Sequence, residues 1–402
     1  MSTIESKCLL IAQRDERIAE LEAAVLSLVE AIDGEMSADE IASKRASAIA
    51  VYERVPSSFS VQPKEALSPR GPSTAPAEVP RLILDERAAP EGYVGTMCSA
   101  SGNRRLKALL EGSGSRLGAV VDEIVDAVSG SLPQVARSPG GRFSVWTLCR
   151  HSSPSQRARI AAGLARDIES VAVDRSGSAT LQSACETMDG EADSVLCSAV
   201  ARSVRALCTD PLGNHVVKAV IRRHQGTTEG PQREIYDAIR LGVSDISRTR
   251  MGCSVVIECV DASGAEWRDA VTRTIASLIR DFSIDRYANY VVQHLIRTYR
   301  DPALLAAIVG IAPELCFNKF GSNIVESAMR HVPGCISEMS SRVERSKSFA
   351  RMVGDRYGNF VIQTMLDACD DDTYDRISGR VLAIAEKFGT NQYSEHLVCK
   401  LK

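Results

Sequence analysis

The chain has 402 residues, 44% hydrophobic and 25% charged, with a formal net charge of −3. This is an ordinary soluble composition with length for a large buried core, and it excludes a nucleic-acid polycation, so any basic binding surface must come from uneven placement of charge. No apolar run reaches transmembrane length, and charges interrupt the N-terminal hydrophobic stretch, so neither a membrane partner nor a signal peptide is expected.

The first predicted element is a helix over residues 4–32. Ile4, Ile11, Ile18, Val25 and Ile32 recur every seven residues, with Leu21 and Leu28 at the companion position. β-branched residues at one heptad position and leucine at the other favour a two-stranded coiled coil, hence a homodimer through residues 4–32. Lys7 and Arg14 weaken its first half. A single amphipathic helix lying on the main domain fits the same pattern. Gly34 closes this first segment, 1–34. Ser37 and Glu40 form a capping-box pair that opens a short helix towards Arg54. Prolines at 56, 63, 69, 72, 76 and 80 then predict an extended, solvated linker. Together these make a second segment, 35–95.

From about Thr96 the pattern is helical to the end, with prolines and glycines between the periodic runs. The stretch Asp355 to Gln363 reads DRYGNFVIQ, and it returns as DRYANYVVQ from Asp285 and NKFGSNIVE from Asn318. Anchoring on the small residue of each copy gives Gly102, Gly140, Gly177, Gly213, Gly252, Ala288, Gly321 and Gly358. The spacings are 38, 37, 36, 39, 36, 33 and 37 residues. Such regularity predicts an all-α solenoid over residues 96–402, each unit packing on its neighbours.

The five residues after each anchor carry the functional signal. At about 100° per residue, Asn359, Phe360 and Gln363 share one sector, while Val361, Ile362, Met365 and Leu366 face the other way. The apolar set therefore enters the core, and the first, second and fifth residues are expected on an exposed face. Those triplets are Asn103/Arg104/Lys107, Gly141/Arg142/Val145, Ser178/Ala179/Gln182, Asn214/His215/Lys218, Cys253/Ser254/Ile257, Asn289/Tyr290/Gln293, Ser322/Asn323/Glu326 and Asn359/Phe360/Gln363. A merely solvated helix face favours Lys, Glu and Ala, and capping accounts for Asn alone. An amide pair with a flat ring between its members suits a nucleobase, edge and face.

NYVVQ, SNIVE and NFVIQ resemble the repeats of the Pumilio, or PUF, family of RNA-binding proteins. The resemblance covers roughly residues 96–402, and the tail YSEHLVCKL from Tyr393 to Leu401 is similar to the family's terminal cap. It implies a right-handed α-solenoid crescent of eight repeats binding single-stranded RNA on its concave face. It also implies that the last repeat reads the 5′ base. Asn359/Gln363 with Phe360 match the family pattern for uracil, Ser322/Glu326 with Asn323 that for guanine, and Asn289/Gln293 with Tyr290 uracil again, together 5′-UGU. A glutamate carboxylate accepts two hydrogens from guanine's Watson–Crick edge but only one from uracil's.

The earlier copies depart from the pattern. Ser178/Gln182 resembles an adenine reader, but Ala179 has no stacking surface. Lys218 replaces the glutamine expected beside Asn214, and Ile257 has no hydrogen bond to offer beside Cys253. Gly141/Val145 reads no edge, leaving Arg142 to stack, and Asn103/Lys107 is the weakest copy. Specificity is thus expected to be sharp at the RNA 5′ end and loose towards the 3′ end. Arg175, Arg250, Arg286, Lys319 and Arg356 each stand two positions before the anchor, a basic row suited to phosphates.

Twelve cysteines without a Cys-x-x-Cys pair argue against zinc and predict reduced core thiols in a cytosolic, cytoplasmic protein. Six scattered histidines and no phosphate-binding loop give no enzyme signal and call for no cofactor. The resulting expectation is a non-catalytic regulator. It binds UGU-containing elements in messenger RNA 3′ untranslated regions and, by the resemblance, recruits deadenylation or translation-repression factors. The rivals are a PUF-like ribosome-assembly protein of weak selectivity and a protein-binding solenoid scaffold.

Overall fold

The computed structural model describes residues 92–226 and 229–401. The expected coiled coil over 4–32, the short helix after Ser37 and the proline-rich linker lie outside the described residues. The first described helix, Gly92–Cys98, begins just ahead of the boundary expected at Thr96.

The described chain is an α-solenoid without strands among the described residues. Nine helices recur in register and are numbered here: α1 (Ala100–Gly112), α2 (Gly141–His151), α3 (Arg175–Cys185), α4 (Gly213–Arg223), α5 (Arg250–Ala262), α6 (Ala288–Thr298), α7 (Lys319–His331), α8 (Gly358–Ala368) and α9 (Ser394–Leu401). Each packs on the next in chain order. A second row runs alongside them, including Pro154–Ala165, Gly190–Arg202, Arg233–Ser247, Ala265–Ser277 and Pro302–Leu315, and these also pack consecutively.

Local chemistry sets where these helices start. A small polar residue three positions before the anchor accepts the anchor's backbone N–H, satisfying a donor that the first turn leaves open. Asp210 does so for Gly213 at 2.7 Å, Asp285 for Ala288 at 2.8 Å, and Asp355 for Gly358 at 2.9 Å. Asn318 and Thr249 serve Gly321 and Gly252 in the same way. Asn391 caps α9 identically, accepting from Ser394 N at 3.0 Å.

The anchor is small because another backbone crosses it. A Cβ at Gly102, Gly177 or Gly252 would collide with the carbonyl oxygen of the residue six positions earlier, at the end of the preceding helix. At Gly358 the equivalent oxygen, of Met352, would lie 2.9 Å away. Beyond the anchors of α3 to α8 the third, fourth, seventh and eighth residues enter the core. Val216, Val217, Val220 and Ile221 do so in α4, and Val291, Val292, Leu295 and Ile296 in α6, all buried.

Polar bridges join successive repeats. Arg330 Nη2 donates to Thr364 Oγ1 at 2.9 Å, and Arg297 Nε donates to Ser327 Oγ at 3.1 Å, one repeat further on in each case. The described cysteines are free thiols. Burial pushes those of Cys149 and Cys316 up to about 12, so they act as small apolar core residues.

Candidate nucleic-acid interface

The glycine criterion corrects the register of one copy. The doublet Gly140–Gly141 leaves the anchor ambiguous in sequence, and Gly140 was the expected choice. Gly140 instead lies against the backbone of Cys98, and its N–H donates to Cys98 O at 3.1 Å. Gly141 is the residue whose Cβ would strike Val135 O, six positions back. With Gly141 as anchor, Ser144, Val145, Leu148 and Cys149 become the core set, and all four are fully buried. Val145 is therefore a core residue. The triplet of this repeat is Arg142/Phe143/Trp146, not Gly141/Arg142/Val145.

The second position is the exposed one. Tyr290 is 51% and Phe360 53% accessible. Arg104, His215, Ser254 and Asn323 are also exposed, while Ala179 is half-buried. Burial, with Lys218 and Arg222 nearby, holds the His215 imidazole below its ordinary value, so its ring is neutral at neutral pH.

The first position differs from expectation. Asn214, Asn289 and Asn359 are buried, as are Ser178, Cys253 and Ser322. The reason is a local competition for backbone carbonyls near the helix start. Asn289 Nδ2 donates to Asp285 O at 2.8 Å, Asn359 Nδ2 to Asp355 O at 2.7 Å, and Asn214 Nδ2 to Asp210 O at 2.9 Å. Ser178 Oγ donates to Leu212 O of the next repeat at 3.1 Å, and Cys253 Sγ to Arg250 O at 3.2 Å. Asn103 is turned towards its neighbour: its Nδ2 donates to Gly140 O at 3.1 Å and its Oδ1 accepts from Ser144 Oγ. Its amide is thereby occupied within the fold.

The fifth position lies between core and solvent and reaches back to the first. Gln293 Nε2 donates to Asn289 Oδ1 at 2.8 Å, Gln363 Nε2 to Asn359 Oδ1 at 2.9 Å, and Gln182 Nε2 to Ser178 Oγ at 3.2 Å. Lys218 Nζ instead donates to Ser254 Oγ at 2.7 Å, bridging to the next repeat. Ile257 is half-buried without a polar atom, and Lys107 is exposed, 3.7 Å from Glu111. Glu326 accepts from Thr364 Oγ1 at 3.2 Å, and Arg330 lies 3.5 Å away. Burial raises the Glu326 carboxyl above its ordinary 4.5, against the opposing pull of Thr364 and Arg330.

The five residues of the basic row, Arg175, Arg250, Arg286, Lys319 and Arg356, are all exposed. Three lie over the ring that follows them: Arg286 on Tyr287 and Arg356 on Tyr357 at 4.7 Å, and Lys319 on Phe320 at 5.9 Å. Such stacking limits where each cation can go. Sequence reasoning missed a second row, one turn beyond the fifth position: Arg150, Arg222, Arg297 and Arg330. Its signal was the constant spacing of nine residues from the anchors Gly141, Gly213, Ala288 and Gly321, which only the corrected register makes uniform.

Asp193, Cys197 and His224 converge away from the triplets. His224 Nε2 lies 3.0 Å from Asp193 Oδ2, and Arg223 Nε lies 3.5 Å from Asp193 Oδ1. The guanidinium supplies the positive charge that a cation would otherwise bring, so the cluster stands as a buried polar clamp between repeats.

A family model for the Pumilio-family RNA binding repeat matches residues 203–221, 279–308, 312–334 and 348–379. These segments cover α6, α7 and α8 and the first part of α4, as far as Ile221. A Pumilio domain-containing protein of Schizosaccharomyces pombe is 24% identical over 337 residues, 76% of this chain and 48% of that protein. Pumilio homolog 9 of Arabidopsis thaliana is 27% identical over 255 residues, 62% of this chain and 43% of that protein. The chain thus spans about half the length of these curated relatives. The structure of the Puf4 RNA binding domain, bound to the HO endonuclease RNA 3′ UTR recognition sequence, superposes with a TM-score of 0.58. Its identity is 23%, covering 72% of this chain and 92% of that one. The RNA-binding domain of yeast Puf5p bound to MFA2 RNA gives a TM-score of 0.61 at 20% identity, covering 77% and 95%. At these identities the structures share the fold.

Proposed function

Because the chain belongs to the Pumilio family of RNA-binding repeat proteins, we propose that its row of triplets binds single-stranded RNA with a 5′-UGU core. Asn359/Gln363, Ser322/Glu326 and Asn289/Gln293 read the edges of uracil, guanine and uracil, and Phe360, Asn323 and Tyr290 contact the faces. The observation that carries this reading is the pair of exposed rings, Tyr290 and Phe360, each beside an amide fixed in position by its partner. Large exposed rings contribute nothing to the core, whereas stacking on a base gives each of them a partner.

Buried first-position side chains fit the same reading. Asn289 and Asn359 hold the glutamines in place, so that each glutamine amide meets the base with its orientation already set. The ordering cost of binding falls accordingly. The two basic rows supply phosphate contacts that a net charge of −3 would not suggest. The protein acts by binding rather than catalysis. Its targets are cytoplasmic messenger RNAs with UGU elements in their 3′ untranslated regions, and it represses them by recruiting deadenylation or translation-repression factors. Self-association through residues 4–32 would present two such solenoids at once.

Selection of bound sequences from a random RNA pool tests this reading. Recovery of a shared 5′-UGU core supports it. Recovery of RNA without a common core would favour weakly selective binding of the ribosome-assembly kind.

A further inference from the structure

The second repeat differs from its neighbours in what it offers. Phe143 stands at its second position and is 62% exposed, more than Tyr290 or Phe360. Trp146 stands half-buried at its fifth position, where α3, α6, α7 and α8 place an amide or a carboxylate. The Arg150 guanidinium covers the indole at 4.9 Å from the ring centroid. Arg142, at the first position, is turned to the next repeat, its Nε donating to Ser183 Oγ at 2.8 Å.

We propose that this repeat is a base-indifferent stacking station, in which Phe143 and Trp146 hold a nucleobase of single-stranded RNA by its face without reading its edge. The proposal rests on the RNA-binding reading of the same row. Phe143 carries no hydrogen-bonding group, and the indole has one donor and no acceptor. A single donor finds an acceptor on every base, so it cannot tell one from another, while every base has a face to stack. Core packing does not explain Phe143, because most of its ring is in water. It also continues the line of rings set by Tyr290 and Phe360 at the same helical position. With α8 taking the first nucleotide, α2 meets the seventh.

The test uses the full chain and the RNA 5′-UGUUUAXU, with X each of the four bases or an abasic ribose. The four bases at X are expected to bind within about threefold of one another, and the abasic RNA on the order of tenfold more weakly. Phe143→Ala should bring the base-containing RNAs close to the abasic one, and Phe143→Tyr should restore the difference. Circular dichroism and a thermal melt of Phe143→Ala check that the repeat remains folded, as expected for a ring so exposed. Trp146→Ala supplies a second variant. Equal affinity for base and abasic RNA in the wild type overturns the proposal, as does a preference above tenfold for one base at X. Whether the wild type prefers UGU to UUU at the 5′ end is read in the same titrations. Failure there would count against the RNA reading itself, separately from this repeat.

Discussion

Gln293 donates its side-chain N–H to Asn289 Oδ1 over 2.8 Å, one turn apart on α6. The other end of the amide is held as well, since Arg297 Nη2 donates to Gln293 Oε1 at 2.8 Å. The same Asn–Gln bond occurs on α8 at 2.9 Å, but there Asp367 occupies the place of Arg297. The Gln293 amide of α6 is therefore more tightly preset than the Gln363 amide of α8. Arg297→Ala should weaken binding of UGU RNA by about threefold to tenfold, the scale of one partly exposed charge-assisted hydrogen bond. Asp367→Ala should not weaken it. Fluorescence anisotropy titrations of the two variants check this, and equal losses would contradict it.

The rings should matter more than the apolar fifth position of α5. Tyr290→Ala or Phe360→Ala removes a stacking face and should cost on the order of 1–3 kcal/mol of binding free energy per base. Ile257→Ala should change affinity far less, because its side chain has no edge contact to lose. Equal losses at Ile257 and Tyr290, measured by the same titrations, would mean that the RNA lies elsewhere.

The fold was legible because its constraint repeats: the cap, the small anchor and the apolar positions return in most copies, so errors in one are corrected by the others. Where two glycines adjoin, at Gly140–Gly141, that constraint lost its precision and the register slipped by one residue. Phe143 and Trp146 were consequently missed. Exposure at the first position was misjudged for a different reason. Helical angle alone does not reveal that Asn289 and Asn359 find the carbonyls of Asp285 and Asp355 and turn inward. The rows of exposed second-position residues and basic side chains, in contrast, follow directly from spacing.

The anchor glycines give a stability prediction with an internal control. Gly177→Ala drives a methyl into the Val171 carbonyl, and overpacking of this kind costs about 1–3 kcal/mol or more. Gly118→Ala, on the helix Leu117–Val128, meets nothing within 4 Å and should stabilise by about 0.5–1 kcal/mol through helix propensity. Urea titrations followed by circular dichroism should move the two midpoints in opposite directions.

Guanine recognition should depend on pH through Glu326. Its carboxyl is raised above 4.5 by burial, so the acid form persists to higher pH than for an exposed glutamate. Only the carboxylate can accept both guanine donors. Preference for UGU over UUU should be full well above the raised value and fade as pH falls through it, while Glu326→Gln shows no such fade. Stability of the free protein runs the other way. The folded state holds this proton more tightly than the unfolded state, so the contribution of Glu326 to stability falls as pH rises from 4.5 through the raised value. A UGU preference that is flat across this range would contradict the role given to the carboxylate.

The central claim is that α6, α7 and α8 each read one base through their own first- and fifth-position side chains. Its most direct measurement is a pair of titrations, wild type and the double variant Ser322→Asn with Glu326→Gln, each against RNAs that differ only at the second base of UGU. The variant copies onto α7 the pair already present on α6 and α8, and its neighbours keep their own contacts. The wild type should prefer UGU, and the double variant should prefer UUU, by roughly 1–3 kcal/mol in each direction, the scale of a bidentate base contact. Equal binding of UGU and UUU by the wild type, or a double variant that still prefers UGU, would contradict the account.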